Sequence, residues 1–274
     1  MKRTICALLC VCLLLLPWLS GCGARDTKLT VLVLQAGKAD AILFFTKNGA
    51  VLLDTGARGF GDTILAELEA RGVERLDCLI LSHFDKDHIG GAAKLLRSLP
   101  VERVLQSDRP RDSEEYARYL EALESRGVEA ETLQSDLSFS LDGVEFSLNA
   151  PEREHYDKDE SNNSSLILTV RCGENRLLFP GDAGNERIRE WLARGERDFA
   201  LLKLPHHGIW QKTLPALLAQ TAPQYAVVTC SDKEPESEKT AALLEASGAA
   251  LFFTRCGAIR IVCSERDLRV SYIY

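Results

Sequence analysis

The chain has 274 residues, 46% hydrophobic and 27% charged, a composition that fits a globular protein and excludes a collagen-like or disordered one. Its formal charge of -7 excludes a general electrostatic footprint for nucleic acid, so any polyanion must be held by bound metal and a local basic patch. Four of the nine cysteines fall in the first 22 residues. The other five, Cys78, Cys172, Cys230, Cys256 and Cys263, are no disulfide framework and read as buried free thiols, with a Cys256–Cys263 pairing left open.

Met1-Lys2-Arg3 and the apolar run at 5–16 read as a signal peptide over 1–21, since the run is too short for a permanent span. It ends in Leu19-Ser20-Gly21-Cys22, which resembles the lipobox of bacterial lipoproteins. That resemblance implies cleavage before Cys22 and lipidation of its sulfur. Residues 22–28 then form a tether, and 29–274 a single domain held outside the cytoplasmic membrane.

Apolar runs at 29–34, 41–45 and 50–53, the last two parted by Asn48-Gly49, predict a meander of strands leading into Leu52-Leu53-Asp54-Thr55-Gly56. A helix follows at 62–71, with Asp62 as N-cap and Gly72 beyond its end. A strand at 76–81 then enters His83-Phe84-Asp85-Lys86-Asp87-His88-Ile89-Gly90-Gly91. Two imidazoles and two carboxylates within six residues are hard to explain as packing. His83, Asp85 and Asp87 alternate, so an extended backbone aims them one way, and His88 follows on the turn. Such side chains ligate Zn²⁺ or harder ions such as Mn²⁺ and Fe²⁺.

Next come a helix at 92–99, a strand at 101–105, and a helix at 112–126 stopped by Gly127. Short strands cover 132–148, with a turn at Asp142-Gly143. His155, in the charged loop at 151–159, reads as solvent-facing. Ser161-Asn162-Asn163-Ser164-Ser165 precedes a strand at 166–170. Leu177-Leu178-Phe179-Pro180-Gly181-Asp182 repeats the earlier logic, a buried strand and glycine turn tipped by one acid. Asp182 also reads as the N-cap of a helix at 185–192. Leu201-Leu202-Lys203-Leu204-Pro205-His206-His207-Gly208 delivers a second histidine pair. Helices at 215–220 and 237–247 and strands at 225–229, 251–253, 258–263 and 268–273 complete the chain.

The first cluster resembles the HxHxDH signature of the metallo-β-lactamase superfamily, with Asp85 in place of the second His. The HxDxDH form is most similar to the branch containing the hydrolase domain of the competence protein ComEC and its stand-alone relatives. The Asp54-Thr55-Gly56 segment matches the superfamily's first motif. Gly37 and Asp40-Ala41 keep the spacing of the branch's DVGQGDA segment, and Leu202 to Gly208 resembles its LKVPHHG. The resemblance covers 29–274, with four motifs in the right order.

This resemblance implies an α+β fold, the four-layer αββα sandwich. It further implies two divalent metal ions, Zn or Mn, one held by His83, Asp85 and Asp182 and the other by Asp87, His88, Asp182 and His207. Asp54 and Gly56 would shape the loop beneath. Asn162 and Asn163 would border the site where other members supply a third His, with Lys203 nearby. Asp87, His88 and the substrate-side His206 carry the catalytic assignment. The implied reaction is hydrolysis by a hydroxide shared between two metals. The carboxylate-rich set favours Mn²⁺ as a rival to Zn²⁺ and suits phosphodiesters, single-stranded DNA outside the cell among them. A role in competence would need a protein partner that the sequence does not reveal. Lys203, Lys86, Arg58 and Lys212 are candidate cations for such a substrate. The competing readings are hydrolysis of another ester or amide bond, in a wall-polymer phosphoester, lipid head group, thioester or lactam, and a non-catalytic metal-binding lipoprotein. β-Lactamase activity itself is disfavoured, because Asp85 and the missing third His remove imidazoles.

Overall fold

Short apolar runs broken by glycine and asparagine dictate strands, and longer amphipathic runs between them dictate crossover helices. The computed structural model describes residues 27–273, so the signal peptide, Cys22 and most of the tether lie outside the described residues. The first half runs β1 (Leu29–Val33), β2 (Ile42–Phe45), β3 (Ala50–Leu53), α1 (Gly61–Glu69), β4 (Cys78–Leu81), the single turn α2 (Lys86–Ile89), α3 (Ala92–Ser98), β5 (Val104–Gln106), α4 (Glu114–Arg126) and β6 (Ala130–Thr132). The second runs β7 (Leu137–Leu141), β8 (Val144–Asn149), α5 (Glu160–Asn163), β9 (Ile167–Cys172), β10 (Asn175–Phe179), α6 (Asn185–Ala193), β11 (Leu201–Lys203), α7 (Leu214–Thr221), β12 (Tyr225–Val228), α8 (Glu238–Ser247), β13 (Ala250–Phe253), β14 (Ala258–Cys263) and β15 (Leu268–Ile273).

The strands form two sheets, in the orders β15-β14-β1-β2-β3-β4-β5-β6 and β13-β12-β11-β10-β9-β8-β7. The last two strands therefore return to the first sheet, where β14 pairs antiparallel with β1. Between the sheets lie Val31, Phe44, Ile80, Phe146, Phe179 and Val227. Phe44 meets Phe146 and Phe179 edge-on, with centroids 5.7 and 5.1 Å away, the favoured quadrupole geometry. The outer face of the first sheet buries Leu52 and Leu79 against Ile64, Leu95 and Tyr119 of the helices. The outer face of the second buries Leu178 and Leu202 against Trp191, Leu217 and Leu244. Helices thus cover both sheets, which is the expected four-layer αββα sandwich, and β3 and β4 are apolar on both faces because both are covered.

β3 and β4 are parallel, as are β10, β11 and β12. Their carboxyl ends, with the start of the antiparallel β9, carry the polar motifs to one end of the sandwich, where open α/β sheets usually bind ligands.

Several boundaries differ from the sequence reading for local reasons. α1 starts at Gly61 behind Phe60, and Asp62 sits in its first turn, 3.0 Å from Lys94 Nζ. α4 takes Ser113 as its N-cap, the Tyr116 N–H donating to Ser113 Oγ over 3.2 Å, and Gly127 ends it with φ +61° as expected. The Asp142-Gly143 turn also forms as read. Its Asp142 carboxylate accepts hydrogen bonds from the Asn48 backbone N–H and Asn48 Nδ2 at 2.7 and 2.8 Å, tying a hairpin of one sheet to a hairpin of the other. The open Cys256–Cys263 pairing is not made. Cys256 is exposed, whereas Cys263 is buried beside Cys172, and the two buried sulfurs lie 3.3 and 3.7 Å from the carbonyl oxygen of Ser264. Among the described residues no helix is long and apolar enough to cross a membrane.

The two glycines after His88 serve close approach of backbones. A Cβ on Gly90 would stand 2.2 Å from Arg58 N and 2.4 Å from Ala57 C, and one on Gly91 would stand 2.5 Å from Thr55 O. Gly90→Ala is therefore expected to lower unfolding stability by about 1–3 kcal/mol through overpacking, read from urea denaturation. A midpoint equal to wild type would contradict this packing.

Candidate metal centre

A buried strand can hold a histidine only if both ring nitrogens are accounted for. His83, His88 and His207 are all buried, and in each the Nδ1 atom has a partner while Nε2 has none. His88 Nδ1 lies 2.8 Å from Asp54 Oδ2. Ser82 Oγ donates to that same Asp54 oxygen at 2.7 Å and lies 3.0 Å from His83 Nδ1. With its one proton given to a carboxylate, the serine hydroxyl can only accept from His83. Asp54 thus fixes two imidazoles as Nδ1–H donors, which leaves the Nε2 atoms of His83 and His88 as the ring nitrogens available to a cation. Gly56 sits in the same turn as Asp54, with φ +69°.

The bare nitrogens converge on Asp182. Its Oδ2 lies 3.3 Å from His88 Nε2 and 3.2 Å from His207 Nε2. His207 Nε2 is in turn 3.5 Å from Asp87 Oδ2. One ligand atom from each of Asp87, His88, Asp182 and His207 lies within 4.8 Å of the other three. Bonds of about 2 Å in a tetrahedron place ligand atoms about 3.3 Å apart, so these separations fit a divalent cation. A second acidic grouping, Asp40, Asp54 and His88, does not, because its carboxylates are committed to Ser82, His88, Thr229 and Lys203.

His83 and Asp85 stand beside this cluster. The His83 and His88 rings are 4.1 Å apart, and Asp85 Oδ2 lies 3.9 Å from His83 Nε2. The other Asp85 oxygen is taken, by the Ser161 hydroxyl and by Arg111 Nη1, the latter at 2.7 Å. The expected alternation reaches only as far as Asp85, which is extended; Asp87 and His88 lie in the helical turn of α2. That turn, and not pleating, swings them toward His207.

Other expectations need correcting. Asp182 does not cap α6, whose N-cap is Gly184. Asn163 does not present its amide to the cluster: Nδ2 donates to Lys158 O at 2.6 Å and Oδ1 accepts from Arg187 N at 3.1 Å, bracing the loop that carries Asp182. Asn162 Nδ2 donates to Asp159 Oδ2 at 2.8 Å while its buried Oδ1 has no partner. Lys203 is wholly buried and ion-paired with Asp40, 3.7 Å from Asp182 Oδ1, so it cannot greet a substrate. Arg58 is engaged by Glu114 and Glu115. Lys86 is exposed on α2. Lys212 lines a cavity with His206.

Sequence reasoning missed Thr229, whose hydroxyl lies 2.9 Å from His207 Nδ1, together with Ser82, Ser161 and Arg111. A threonine ending an apolar strand carries no signal of its own. The backbone of the histidine pair was equally unforeseen: His206 and His207 have φ of +48° and +54°, and Asp54 +56°. Left-handed non-glycine residues are costly and cluster at functional sites.

Electrostatics follow burial and neighbours. Burial pushes the His83 imidazole down to about 4, helped by the His88 ring. Burial acts likewise on His88 and His207, but Asp182 outweighs it in both, assisted by Asp54 at His88 and Asp87 at His207, and holds them above the ordinary histidine value. Asp182, raised by burial, is pulled well below the usual carboxylate range by His207 and His88. Burial lowers His206.

A family model described as the metallo-beta-lactamase superfamily matches residues 34–231. Among curated proteins, the chain is 27% identical over 250 residues to ComE operon protein 3 of Bacillus subtilis, covering 82% of this chain and 30% of that one. It is 31% identical over 208 residues to competence protein ComA of Neisseria gonorrhoeae, covering 74% and 27%. With Recombination protein 2 of Haemophilus influenzae the identity is 29%, covering 74% and 24%. The chain thus spans less than a third of the length of these relatives. Among solved structures, the metallo-beta-lactamase fold protein YhfI of Bacillus subtilis superposes with a TM-score of 0.57 at 9% identity, covering 89% of this chain and all of that one. CmlA, a diiron beta-hydroxylase from Streptomyces venezuelae, gives 0.53 at 14%, covering 90% and 54%. With the αββα layers and the clustered His and Asp side chains, these matches show that the chain is a member of the metallo-β-lactamase superfamily, similar to the corresponding domain of ComEC-type competence proteins.

Proposed function

We propose that the chain is a metal-dependent phosphodiesterase acting on nucleic acid, single-stranded DNA among its substrates, and tethered outside the cytoplasmic membrane through Cys22. The observation that carries this reading is the set of three buried imidazole Nε2 atoms, each without a partner, gathered around one carboxylate-rich centre. His83, Asp85 and Asp182 would hold one divalent ion and Asp87, His88, Asp182 and His207 the other. Three carboxylates beside three imidazoles suit Mn²⁺ as well as Zn²⁺. When bound, such a pair supplies Lewis acidity toward a phosphoryl oxygen and lowers the pKa of water.

The chain's own residues do the rest. Asp54 and Ser82 keep His83 and His88 in one tautomer, and Asp182 joins the two halves of the site. His206 is a quarter exposed and 4.0 Å from Asp182 Oδ2. Its ring, kept neutral by burial, offers one N–H and one lone pair to a reacting oxygen. His206 opens onto a cavity of about 570 Å³ that is also lined by Lys158, Arg189, Trp210 and Lys212, with Asp157 and Asp159. Cations for phosphates and an indole for a base suit a nucleic-acid strand, and the names of the competence and recombination relatives point the same way.

Two experiments test this. Metal ligands must be deprotonated, and His88 and His207 are raised above 6.5 in the metal-free chain. Their contribution to metal-free stability is present below about pH 6.5 and lost as pH rises through their folded values. His83, lowered to about 4, acts oppositely between that value and its ordinary 6.5. The melting-temperature gap between metal-loaded and chelator-stripped protein is therefore expected to widen from about pH 6 to about pH 8; a narrowing gap contradicts the ligand assignment. In activity assays with Mn²⁺ or Zn²⁺, single-stranded DNA and a chromogenic phosphodiester should be cleaved, nitrocefin should stay intact, and His88→Ala should cost about 100-fold or more. Opened nitrocefin beside intact phosphodiesters would overturn the substrate class.

A further inference from the structure

The hydrogen-bond accounting that explains His83 and His88 leaves His207 with a separate support. Its Nδ1 lies 2.9 Å from Thr229 Oγ1 at the end of β12. The same hydroxyl donates to Asp40 Oδ1 at 2.7 Å. Asp40 itself is too far from the ring, 3.6 Å to Nδ1, for a direct bond. On its other oxygen Asp40 holds the ammonium of Lys203, with both groups buried. The backbone of Asp40 reaches both neighbouring loops: its N–H donates to Asp87 O at 3.2 Å, and its carbonyl accepts from Gly56 N at 2.7 Å.

We propose that Asp40 is a positioning residue for the metal centre: held by Lys203, it takes the only proton of Thr229 and thereby obliges His207 to donate from Nδ1 and keep Nε2 bare for a divalent cation. The inference rests on the metal-centre reading above. A hydroxyl has one proton and an ionised carboxylate accepts only. With Lys203 against it, Asp40 is the acceptor, so the proton of Thr229 points away from His207. The free lone pair of Thr229 then faces Nδ1, which must carry hydrogen. Nε2 is left making no hydrogen bond, 3.2 Å from Asp182 and 3.5 Å from Asp87, the carboxylates that would share a cation with it. Partners that orient a ligating histidine in this way typically contribute 10–100-fold to metal affinity.

The chain of donors makes a directional forecast for isosteric variants. In Asp40→Asn, Lys203 still demands an oxygen, so the amide NH₂ faces Thr229. The hydroxyl then accepts from it and donates to His207, favouring a proton on Nε2, the wrong nitrogen. Thr229→Val removes the hydroxyl, and Thr229→Ser keeps it.

The test is calorimetric titration of chelator-stripped full-length protein with Zn²⁺ and with Mn²⁺ in separate runs, with melting curves of the metal-free forms as a check on folding. Asp40→Asn and Thr229→Val are each expected to bind about 10–100-fold more weakly, and Thr229→Ser as wild type. Adding Thr229→Val to Asp40→Asn should weaken binding no further, since the misdirected donor is gone. A merely structural role would lower the metal-free melting temperature without this pattern. Wild-type affinity in Thr229→Val, or fully additive losses in the double variant, would overturn the inference. Failure of wild type to take up either ion would overturn the metal-centre reading and the inference with it. Should Asp40→Asn not fold, the contrast between Thr229→Val and Thr229→Ser decides.

Discussion

Burying three imidazoles, each with an Nε2 atom that makes no hydrogen bond, is the constraint on which this molecule turns. An unpartnered polar atom inside a protein costs about 1–3 kcal/mol, so three bare Nε2 atoms persist only if the remaining groups around them are fully satisfied. Asp54 meets that demand on one side. It is itself buried, left-handed, and bonded to the Ser82 N–H, the Ser82 hydroxyl and His88. On the other side Thr229 and the Asp40–Lys203 pair do so. The apolar strands around them exclude water from the supports, while the polar loops leave the open nitrogens facing one point.

The fold explains how separate segments reach that point. Parallel strands end together, so β3, β4, β10, β11 and β12 place Asp54, His83, Asp182, His207 and Thr229 at one end of the sandwich. Glycine permits the final approach: Gly90 and Gly91 bring the turn carrying Asp87 and His88 against the loop behind Asp54. The left-handed backbone of His206 and His207 then sends the two adjacent rings different ways, one into the buried cluster and one toward the cavity.

How much of this could be seen in the sequence depended on chemistry. His83, Asp87, His88, Asp182 and His207 were legible because few folds place imidazoles and carboxylates at strand tips without a use for them. The strands and most helices were legible from apolar runs and from Gly127 and Asp142-Gly143. Ser82 and Thr229 were not, since a hydroxyl beside an apolar strand looks like ordinary packing. Arg111 was hidden because its partner, Asp85, is distant in sequence and is reached only through the crossover of α3 and β5. Lys203 stands near the cluster as read, but that it cannot serve as a cation for substrate was not legible, because an isolated lysine in a sequence gives no sign of a buried acid more than 160 residues earlier. The neighbour of Cys263 likewise depended on β14 crossing to the first sheet, which periodicity cannot report.

That crossing also bears on how the molecule is made. β1 is hydrogen-bonded on one side to β2 and on the other to β14, with Leu29 opposite Cys263. A chain that emerges from its N-terminus therefore holds an unzipped strand edge until β14 arrives. Closing a contact over such a separation is slow, and an open apolar edge invites pairing with another molecule. A permuted chain beginning at β14 would instead bring the two strands close in sequence and let them pair early.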